Sequence, residues 1–85
     1  MVVSIAPNTL AHNRYGFIVS KHLGKAVTRN LIRRRLRAVV RELHPQLKPG
    51  YDIVIIARAA LVEQPFMVLQ RTVVEQFRQS GILER

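Results

Sequence analysis

The chain has 85 residues, of which 48% are hydrophobic and 22% charged, a composition typical of one small globular domain rather than a disordered segment. Lys and Arg number 14 against 5 Asp and Glu, so the net charge is +9, and this excess indicates a polyanionic partner. The absence of cysteine excludes a disulfide framework and Cys-ligated zinc, and no apolar run approaches the roughly 20 residues of a membrane-spanning helix.

Two short strands are predicted near the N-terminus. Val2 to Ala6 is rich in apolar residues and is followed by Pro7-Asn8-Thr9, which opens a turn. Arg14 to Lys21 carries aromatic and β-branched residues and forms the second predicted strand. Because the link between them is short, the two strands are expected to pair antiparallel.

The segment from Val27 to Leu43 has the strongest helical pattern. At 100° per residue, an apolar stripe occupies one arc of about 100°. Its members are Ile32, Leu36, Val39, Val40 and Leu43. The opposing side carries a polar and basic row formed by Asn30, Arg33, Arg34, Arg37 and Arg41. We therefore expect a helix that packs inward with one face, offers guanidinium groups with the other, and ends at Pro45.

The remaining elements are a strand and a second helix. Lys48-Pro49-Gly50 predicts a turn, and Tyr51 to Arg58 predicts a strand whose unbroken apolar run indicates burial on both faces. Gln64-Pro65 begins a helix that Gly81 ends. The apolar stripe of this helix is Phe66, Leu69, Val73 and Phe77. The order β-β-α-β-α predicts a single domain over residues 1–85, a two-layer α+β or α/β sandwich with helices against a small sheet.

The positive charge is concentrated in one half of the chain. The first 41 residues contain nine Lys or Arg and no Asp or Glu, whereas the remaining 44 residues carry five charges of each sign. A face that is merely solvated usually mixes signs, because like charges at helical spacing repel. Arginine suits phosphate recognition, since its planar fork makes two parallel hydrogen bonds. The asymmetry is typical of a nucleic-acid-binding domain.

No catalytic or metal-binding constellation is present in the sequence. His12, His22 and His44 are scattered without metal-ligand spacing. The acidic residues do not pair for acid–base chemistry, and no nucleophile elbow or phosphate-cradling glycine loop occurs. We expect neither a catalytic residue nor a metal held by the protein alone. With no cysteine, no signal peptide and no membrane partner predicted, a cytoplasmic location is expected.

The segment from Phe17 to Arg41, FIVSKHLGKAVTRNLIRRRLRAVVR, resembles the protein component of bacterial ribonuclease P. The matching motifs, in order and at the family's spacing, are Gly16-Phe17, Val19-Ser20-Lys21, Gly24-Lys25-Ala26-Val27, Arg29-Asn30, Arg33-Arg34 and Arg37. Asp52 to Arg58 also resembles the strand that follows the basic helix in that family. The resemblance covers essentially the whole chain.

This resemblance implies an RNA-binding subunit that helps a catalytic RNA to remove the 5′ leader from precursor tRNA. The RNA would hold the active site and its magnesium ions. The implied fold is an α/β sandwich with a left-handed β-α-β crossover, formed by Arg14–Lys21, the basic helix and Tyr51–Arg58. The residues implied to face the catalytic RNA are Lys25, Arg29, Asn30, Arg33, Arg34, Arg37 and Arg41. Those implied to line or rim the leader cleft are Phe17, Ser20, Lys21 and Arg58.

Plainer interpretations remain open for three of these residues. Asn30 fits an ordinary surface or helix-start residue, Phe17 fits a core residue of a strand, and Arg58 fits a solvent-facing strand end. Two departures from the family pattern also matter. Leu31 occupies a position that is commonly basic, so one phosphate contact would be missing or offset by Arg35 or Arg37. The resemblance also implies an N-terminal helix and first strand before Met1, of which the helix would supply part of the leader cleft. A truncated sequence, a start assigned late or a variant that compensates in another way would each account for their absence, and truncation is favoured.

Other classes of protein fit the composition less well. A ribosomal protein with a similar small fold would share the charge but not the ordered motif. A DNA-binding domain would place the arginine helix in a major groove, yet the helix lacks a helix-turn-helix partner and is flanked by strands. A basic helix for acidic proteins ranks below both.

Overall fold

The computed structural model describes residues 1–58 and 64–83, in the predicted order β-β-α-β-α. The strands are β1 (Val2–Pro7), β2 (Arg14–Ile18) and β3 (Tyr51–Ile56). The helices are α1 (Ala26–Leu43) and α2 (Phe66–Ser80), and 3₁₀ turns at Lys21–Leu23 and His44–Gln46 flank α1. The two-layer α+β architecture is therefore confirmed. Neither helix in the described ranges is long and apolar enough to cross a membrane.

The strand order is β1-β3-β2, so the predicted antiparallel pairing of the first two strands is wrong. β1 pairs with β3 in the antiparallel sense, and β2 pairs with β3 in parallel. β3 is the central strand, so it pairs with a neighbouring strand on each side. Its apolar run fits this position in the middle of the sheet. The parallel pair requires a crossover, and α1 supplies it. The hand of that crossover stays a prediction from the family resemblance.

The sheet has one covered face and one partly open face. Ile53 and Ile55 of β3 are each 1% exposed and contact the core, whereas Val54 and Ile56 between them are only half-buried. The predicted burial of this strand on both faces is therefore wrong, since the core residues of both helices cluster with Ile53 and Ile55. On the open face, Val2 and Ile18 lie beside Ile56 in register.

β2 and β3 end earlier than the predicted strands Arg14 to Lys21 and Tyr51 to Arg58. β2 stops at Ile18 because the chain turns at Ser20, whose Oγ accepts a hydrogen bond from the backbone N–H of His22 at 3.2 Å. β3 stops at Ile56, although the N–H of Ala57 still donates to the Ile18 carbonyl at 3.0 Å. Arg58 therefore follows the strand rather than belonging to it.

α1 forms where its two faces were predicted. Ile32, Leu36, Val39 and Val40 are buried in the core, and Leu43 is partly buried against it. The helix ends at Leu43, and Pro45 falls within the 3₁₀ turn that follows. The apolar stripe at helical spacing thus anchors α1 and fixes which of its side chains remain on the surface.

α2 closes the other part of the core. Leu69, Val73 and Phe77 are buried, while Phe66, the fourth member of the predicted stripe, is 37% exposed at the first turn. Gly81 ends the helix in the left-handed conformation with φ +81°, which glycine adopts without a side-chain clash. Phe77 is fully buried and is the largest fully buried side chain of the described residues.

Asp52 ties the three strands together on the open face of the sheet. Arg14 donates to both carboxylate oxygens, at 2.8 and 2.7 Å, and the Asn8 side chain, just after β1, donates to Oδ1 at 3.0 Å. The hydrogen bonds from Arg14 and Asn8 lower the pKa of Asp52 to about 2. Because the Arg14 side chain is 61% exposed and that of Asp52 36% exposed, solvent screens the pair and its contribution to stability is small.

A pH dependence of folding follows from this carboxylate. Its pKa in the folded chain lies below the unfolded value of about 3.9, so the stability it supplies is complete above about pH 4 and is lost as the pH falls towards about 2. We expect the melting temperature of Asp52→Asn to lie below that of the original chain at about pH 5, and the gap to close by about pH 2. Thermal melts across this range check it; a gap that stays constant would contradict the assignment.

Candidate nucleic-acid interface

The predicted basic row of α1 lies on the surface of the molecule. Asn30, Arg34, Arg37 and Arg41 are exposed, and Arg33 is half-buried with its Nη1 donating to Asn30 Oδ1 at 3.1 Å. This hydrogen bond fixes the two side chains relative to each other at one point of the row. The helical periodicity therefore placed these residues correctly.

The start of α1 adds to the positive charge. Lys25 occupies the N-cap position and is exposed, and no acidic residue lies in the first turn. The free N–H groups of that turn carry partial positive charge, which is not offset there. Arg29 differs from the rest of the row, since it is half-buried and its enclosed Nε finds no hydrogen-bond partner among the described residues.

The arginines of α1 keep their charge available. In the described part of the chain, the ion pairs are Arg14 with Asp52 and Arg78 with Glu75, neither of which involves α1. Glu42, the acidic residue of α1, accepts a hydrogen bond from Gln70 of α2 instead. The arginines of α1 therefore form no ion pair within the described residues.

A cavity of about 330 Å³ lies between β2 and the C-terminal half of α1. Its lining residues are Tyr15, Phe17, Arg37, Val40, Arg41 and His44. Tyr15 and Phe17 are two positions apart on β2, so they share the covered face of the sheet. The four residues of α1 and its end follow the spacing i, i+3, i+4 and i+7, so they share one face of the helix. The cavity therefore lies between one face of β2 and one face of α1.

Arg37 lies over the Phe17 ring in the cavity. The Cζ atom of Arg37 lies 5.9 Å from the centre of the Phe17 ring, within the range of a cation–π interaction. Phe17 is half-buried and packs against the core, which fits the core interpretation, and its role in a leader cleft stays a prediction. Two residues predicted for the catalytic RNA, Arg37 and Arg41, therefore share a cavity with one predicted for the leader.

The other predicted leader residues lie elsewhere. Ser20 and Lys21 follow β2, and Arg58 follows β3; because these strands are parallel, all three lie beyond the same edge of the sheet. They do not line the cavity. The structure thus separates Phe17 from Ser20, Lys21 and Arg58, and their roles stay predictions.

A second cavity, of about 290 Å³, borders the N-terminal half of α1. It is lined by Val27, Asn30, Leu31 and Arg34. Val27 is 81% exposed, so this part of the interface combines apolar and basic side chains. Leu31 is accompanied here by Arg34, whereas Arg37 lines the other cavity, so the suggestion that Arg37 offsets the missing charge is not supported by its position.

Sequence reasoning missed one polar chain at the end of the larger cavity. Asn13, which is only 8% exposed, donates from Nδ2 to Tyr15 Oη at 3.3 Å, and that hydroxyl lies 2.5 Å from His44 Nδ1. The rings of Tyr15 and His44 meet edge to face, with centroids 5.7 Å apart. No motif signals this chain, because its members come from a loop, a strand and a helix end.

The residues present do not fit a magnesium site held by the protein. Magnesium is bound through carboxylate oxygens in near-octahedral geometry. Within residues 1–58 and 64–83, no three His, Cys, Asp or Glu side chains lie close enough to hold a metal ion. The candidate interface is formed by cations, aromatic rings and neutral polar groups.

A family model described as Ribonuclease P matches residues 1–81, nearly the whole chain. The chain belongs to the ribonuclease P protein family. The ribonuclease P protein component of Roseiflexus sp. (strain RS-1) is 48% identical over 85 residues, an alignment that spans 99% of this chain and 70% of that protein. Family membership makes the chain a subunit of the ribonuclease P holoenzyme, which acts in tRNA 5′ processing.

Solved structures of ribonuclease P proteins share the fold. The protein from Staphylococcus aureus superposes with a TM-score of 0.88 at 28% identity, covering 95% of this chain and 74% of that one. The protein from Thermotoga maritima gives 0.83 at 26% identity, covering 91% and 74%. The family resemblance in the basic helix is therefore confirmed by sequence and by fold, and the ribosomal and DNA-binding alternatives are not needed.

Proposed function

We propose that this ribonuclease P protein binds the catalytic RNA through the basic row of α1 and binds the unpaired 5′ leader of precursor tRNA in the larger cavity. The observation that carries the leader assignment is the contact of Arg37 with the Phe17 ring in that cavity. A cation and an aromatic ring lie together there, and proteins that bind single-stranded RNA use this combination.

The shape and chemistry of the cavity support a single strand. About 330 Å³ is at the small end of ligand pockets and accommodates a nucleotide rather than a duplex. Phe17 and Tyr15 place aromatic side chains in the cavity, and Arg37, which lies over the Phe17 ring, and Arg41 offer guanidinium groups to a base and the phosphates beside it. Stacking tolerates any base, as a subunit that serves many precursor tRNAs requires.

The basic row supports binding to a large folded RNA. Lys25, Asn30, Arg33 and Arg34 lie on the N-terminal half of α1, away from the cavity, so the catalytic RNA and the leader would contact different halves of one helix. The magnesium ions and the cleaving chemistry belong to the RNA in this proposal, since the described residues supply neither carboxylate clusters nor an activated nucleophile. Such a reaction would take place in the cytoplasm.

Multiple-turnover cleavage tests the proposal. Precursor tRNA is incubated with ribonuclease P RNA of the same source at low magnesium, with and without this chain. We expect the chain to stimulate cleavage. A folded chain that neither binds the RNA nor stimulates the reaction would overturn the proposed function, whereas binding without stimulation would remove the leader assignment alone.

The leader assignment makes a sharper prediction at Phe17. Phe17→Leu keeps an apolar side chain against the core but removes the aromatic face, so we expect affinity for precursor tRNA to fall by about 1 to 3 kcal/mol while affinity for mature tRNA is unchanged. Binding to the RNA–protein complex measures both. The control is Ile18→Ala, because Ile18 is the next residue, is 51% exposed and lies on the opposite face of the sheet. An equal loss for precursor and mature tRNA would contradict the stacking role.

A further inference from the structure

Val27 and Leu31 form an apolar patch on the side of α1 that faces away from the core. At 100° per residue the two lie about 40° apart, on the opposite side of the helix from the core-facing stripe. Val27 is 81% exposed, the largest exposed fraction of any large apolar side chain in residues 1–58 and 64–83. Neither residue belongs to the core cluster or packs against it. Packing within the described residues therefore does not account for the patch.

The patch is contiguous and forms part of a concave surface. Val27 and Leu31 are four positions apart, so their side chains are neighbours along the helix. Together with Asn30 and Arg34 they line the second cavity, of about 290 Å³. A single exposed apolar side chain is ordinary on a protein surface, whereas two that share a cavity with polar groups form a surface suited to a ligand.

The surroundings of the patch are positively charged. Arg34 lines the same cavity, and Arg33 and Lys25 lie on the same half of α1. No acidic residue lies in the first turn of the helix, whose free N–H groups add partial positive charge. A ligand that fits both features combines apolar surface with negative charge, and a nucleic acid has this combination.

One part of a folded RNA is apolar enough to occupy the patch. Paired bases are stacked on one another and the backbone is polar and charged, so neither offers an apolar surface. An unpaired base that is splayed out of its stack exposes its flat face to a protein. Such a base is flanked by its own phosphates, and these match the guanidinium group of Arg34 beside the patch.

We propose that Val27 and Leu31 form an apolar subsite of the RNA interface, which takes the face of one unpaired base of the catalytic RNA while Arg34 binds a phosphate beside that base. This inference rests on the proposed function, because it assumes that the basic row of α1 binds the catalytic RNA. The contact at Leu31 differs in kind from those of the arginines, since burial of apolar surface releases no counterions from the RNA.

Leu31→Ala tests the subsite, because it shortens the apolar side chain and leaves a strong helix former on the surface of α1. We expect this variant to bind the catalytic RNA of the same source about tenfold more weakly, as the side chain is partly covered by the base. The slope of log affinity against log salt should stay unchanged, because no phosphate contact is lost. Circular dichroism checks that the variant is folded.

The matched control is Met67→Ala. Met67 is 70% exposed in the first turn of α2, so the control also removes an exposed apolar side chain from the start of a helix. We expect it to bind the RNA as the unchanged chain does. An equal loss of affinity in the two variants would overturn the inference, because the effect would then not belong to the patch on α1.

Chemical probing of the catalytic RNA identifies the occupant. Acylation of 2′-hydroxyl groups reports mobile nucleotides, so we expect at least one unpaired nucleotide to lose reactivity when the unchanged chain is bound at saturation. The same nucleotide should regain reactivity with saturating Leu31→Ala, while the other protections persist. An abasic residue at that position should weaken binding as much as Leu31→Ala does, and the two changes together should cause no further loss. If no unpaired nucleotide responds to Leu31→Ala, the inference is overturned.

The outcomes separate this inference from the proposed function. If Arg33→Ala, Arg34→Ala binds weakly but Leu31→Ala binds as the unchanged chain does, the basic row stands and the subsite is overturned. If Leu31→Ala binds weakly with a shallower salt slope, its effect comes from lost phosphate contacts, and the subsite is overturned as well. If neither variant weakens binding, the proposed role of α1 fails, and the inference fails with it.

Discussion

The double variant Arg33→Ala, Arg34→Ala is expected to bind the catalytic RNA at least about a hundredfold more weakly at low salt, because each of the two charge-assisted hydrogen bonds contributes at least about 1.5 kcal/mol. Both side chains lie on the N-terminal half of α1, away from the larger cavity. Arg33 is already oriented by its hydrogen bond with Asn30. Filter binding or titration with labelled RNA gives the dissociation constants.

The salt dependence of the same measurement identifies the mechanism. The slope of log affinity against log salt should become shallower by about 0.7 to 0.9 for each phosphate that the variant no longer neutralises. The control is Arg71→Ala, Arg78→Ala, which removes the same charge from exposed positions of α2. If the control weakens binding as much as the α1 variant, net charge rather than the basic row of α1 determines affinity. An unchanged slope in the α1 variant would exclude phosphate binding by these two residues.

Phe77→Ala is expected to lower the free energy of unfolding by about 3 to 5 kcal/mol. Phe77 is fully buried among the residues of both helices and the sheet, so its removal leaves a cavity that the surroundings fill only in part. A domain of this size has about 5 to 15 kcal/mol of stability in total, so the variant is expected to be close to unfolding. Urea denaturation followed by circular dichroism measures the change.

Phe66→Ala is the matched control for this prediction. It removes the same side chain from the same helix, but Phe66 is 37% exposed, so the expected loss is about 1 kcal/mol or less. A similar loss for both variants would show that Phe77 does not occupy the centre of the core. The comparison is independent of RNA and therefore tests the fold alone.

Local patterns in the sequence are sufficient to predict the elements. The apolar stripe of α1 and the glycine after α2 are signals contained within a few residues, and both are confirmed. The pairing of the strands, by contrast, depends on parts of the chain that are far apart in sequence. A short link between β1 and β2 favours antiparallel pairing of these two, but the actual pairing depends on β3, a strand that lies some 30 residues further along the chain.

At the candidate interface, too, local patterns predict which side chains are exposed but not which elements meet. Helical periodicity places Asn30, Arg34 and Arg37 on the surface because their exposure follows from the position of the apolar stripe. It cannot show that Arg37 meets Phe17, since this contact depends on how the crossover lays α1 over β2. Arg29 is half-buried because, at 100° per residue, it falls within the arc of the core-facing stripe, between Leu36 and Val40, a distinction that the charge pattern hides. The roles of these residues in RNA binding stay predictions.

The polar chain at His44 illustrates the limit most clearly. The spacing of the histidines in the sequence gives no reason to assign any of them a role. The contacts of His44 depend on Tyr15 and Asn13, which approach it only in the folded chain. A buried asparagine in a loop gives no periodic signal, so the place of Asn13 in the polar chain becomes visible only from its hydrogen bonds.

The central position of β3 has a consequence for the life of the newly made chain. β1 and β2 do not pair with each other, so neither gains a neighbour until Tyr51–Ile56 has been synthesised. Until then the apolar side of α1 lacks the sheet on which it packs. The chain must close a loop of more than 30 residues, at a cost in conformational entropy, before any strand pairing can stabilise it. An RNA that binds only the folded chain shifts the folding equilibrium towards the folded state by mass action. Chains made in excess of their RNA are therefore expected to be unfolded for a larger fraction of the time and to be more exposed to proteases.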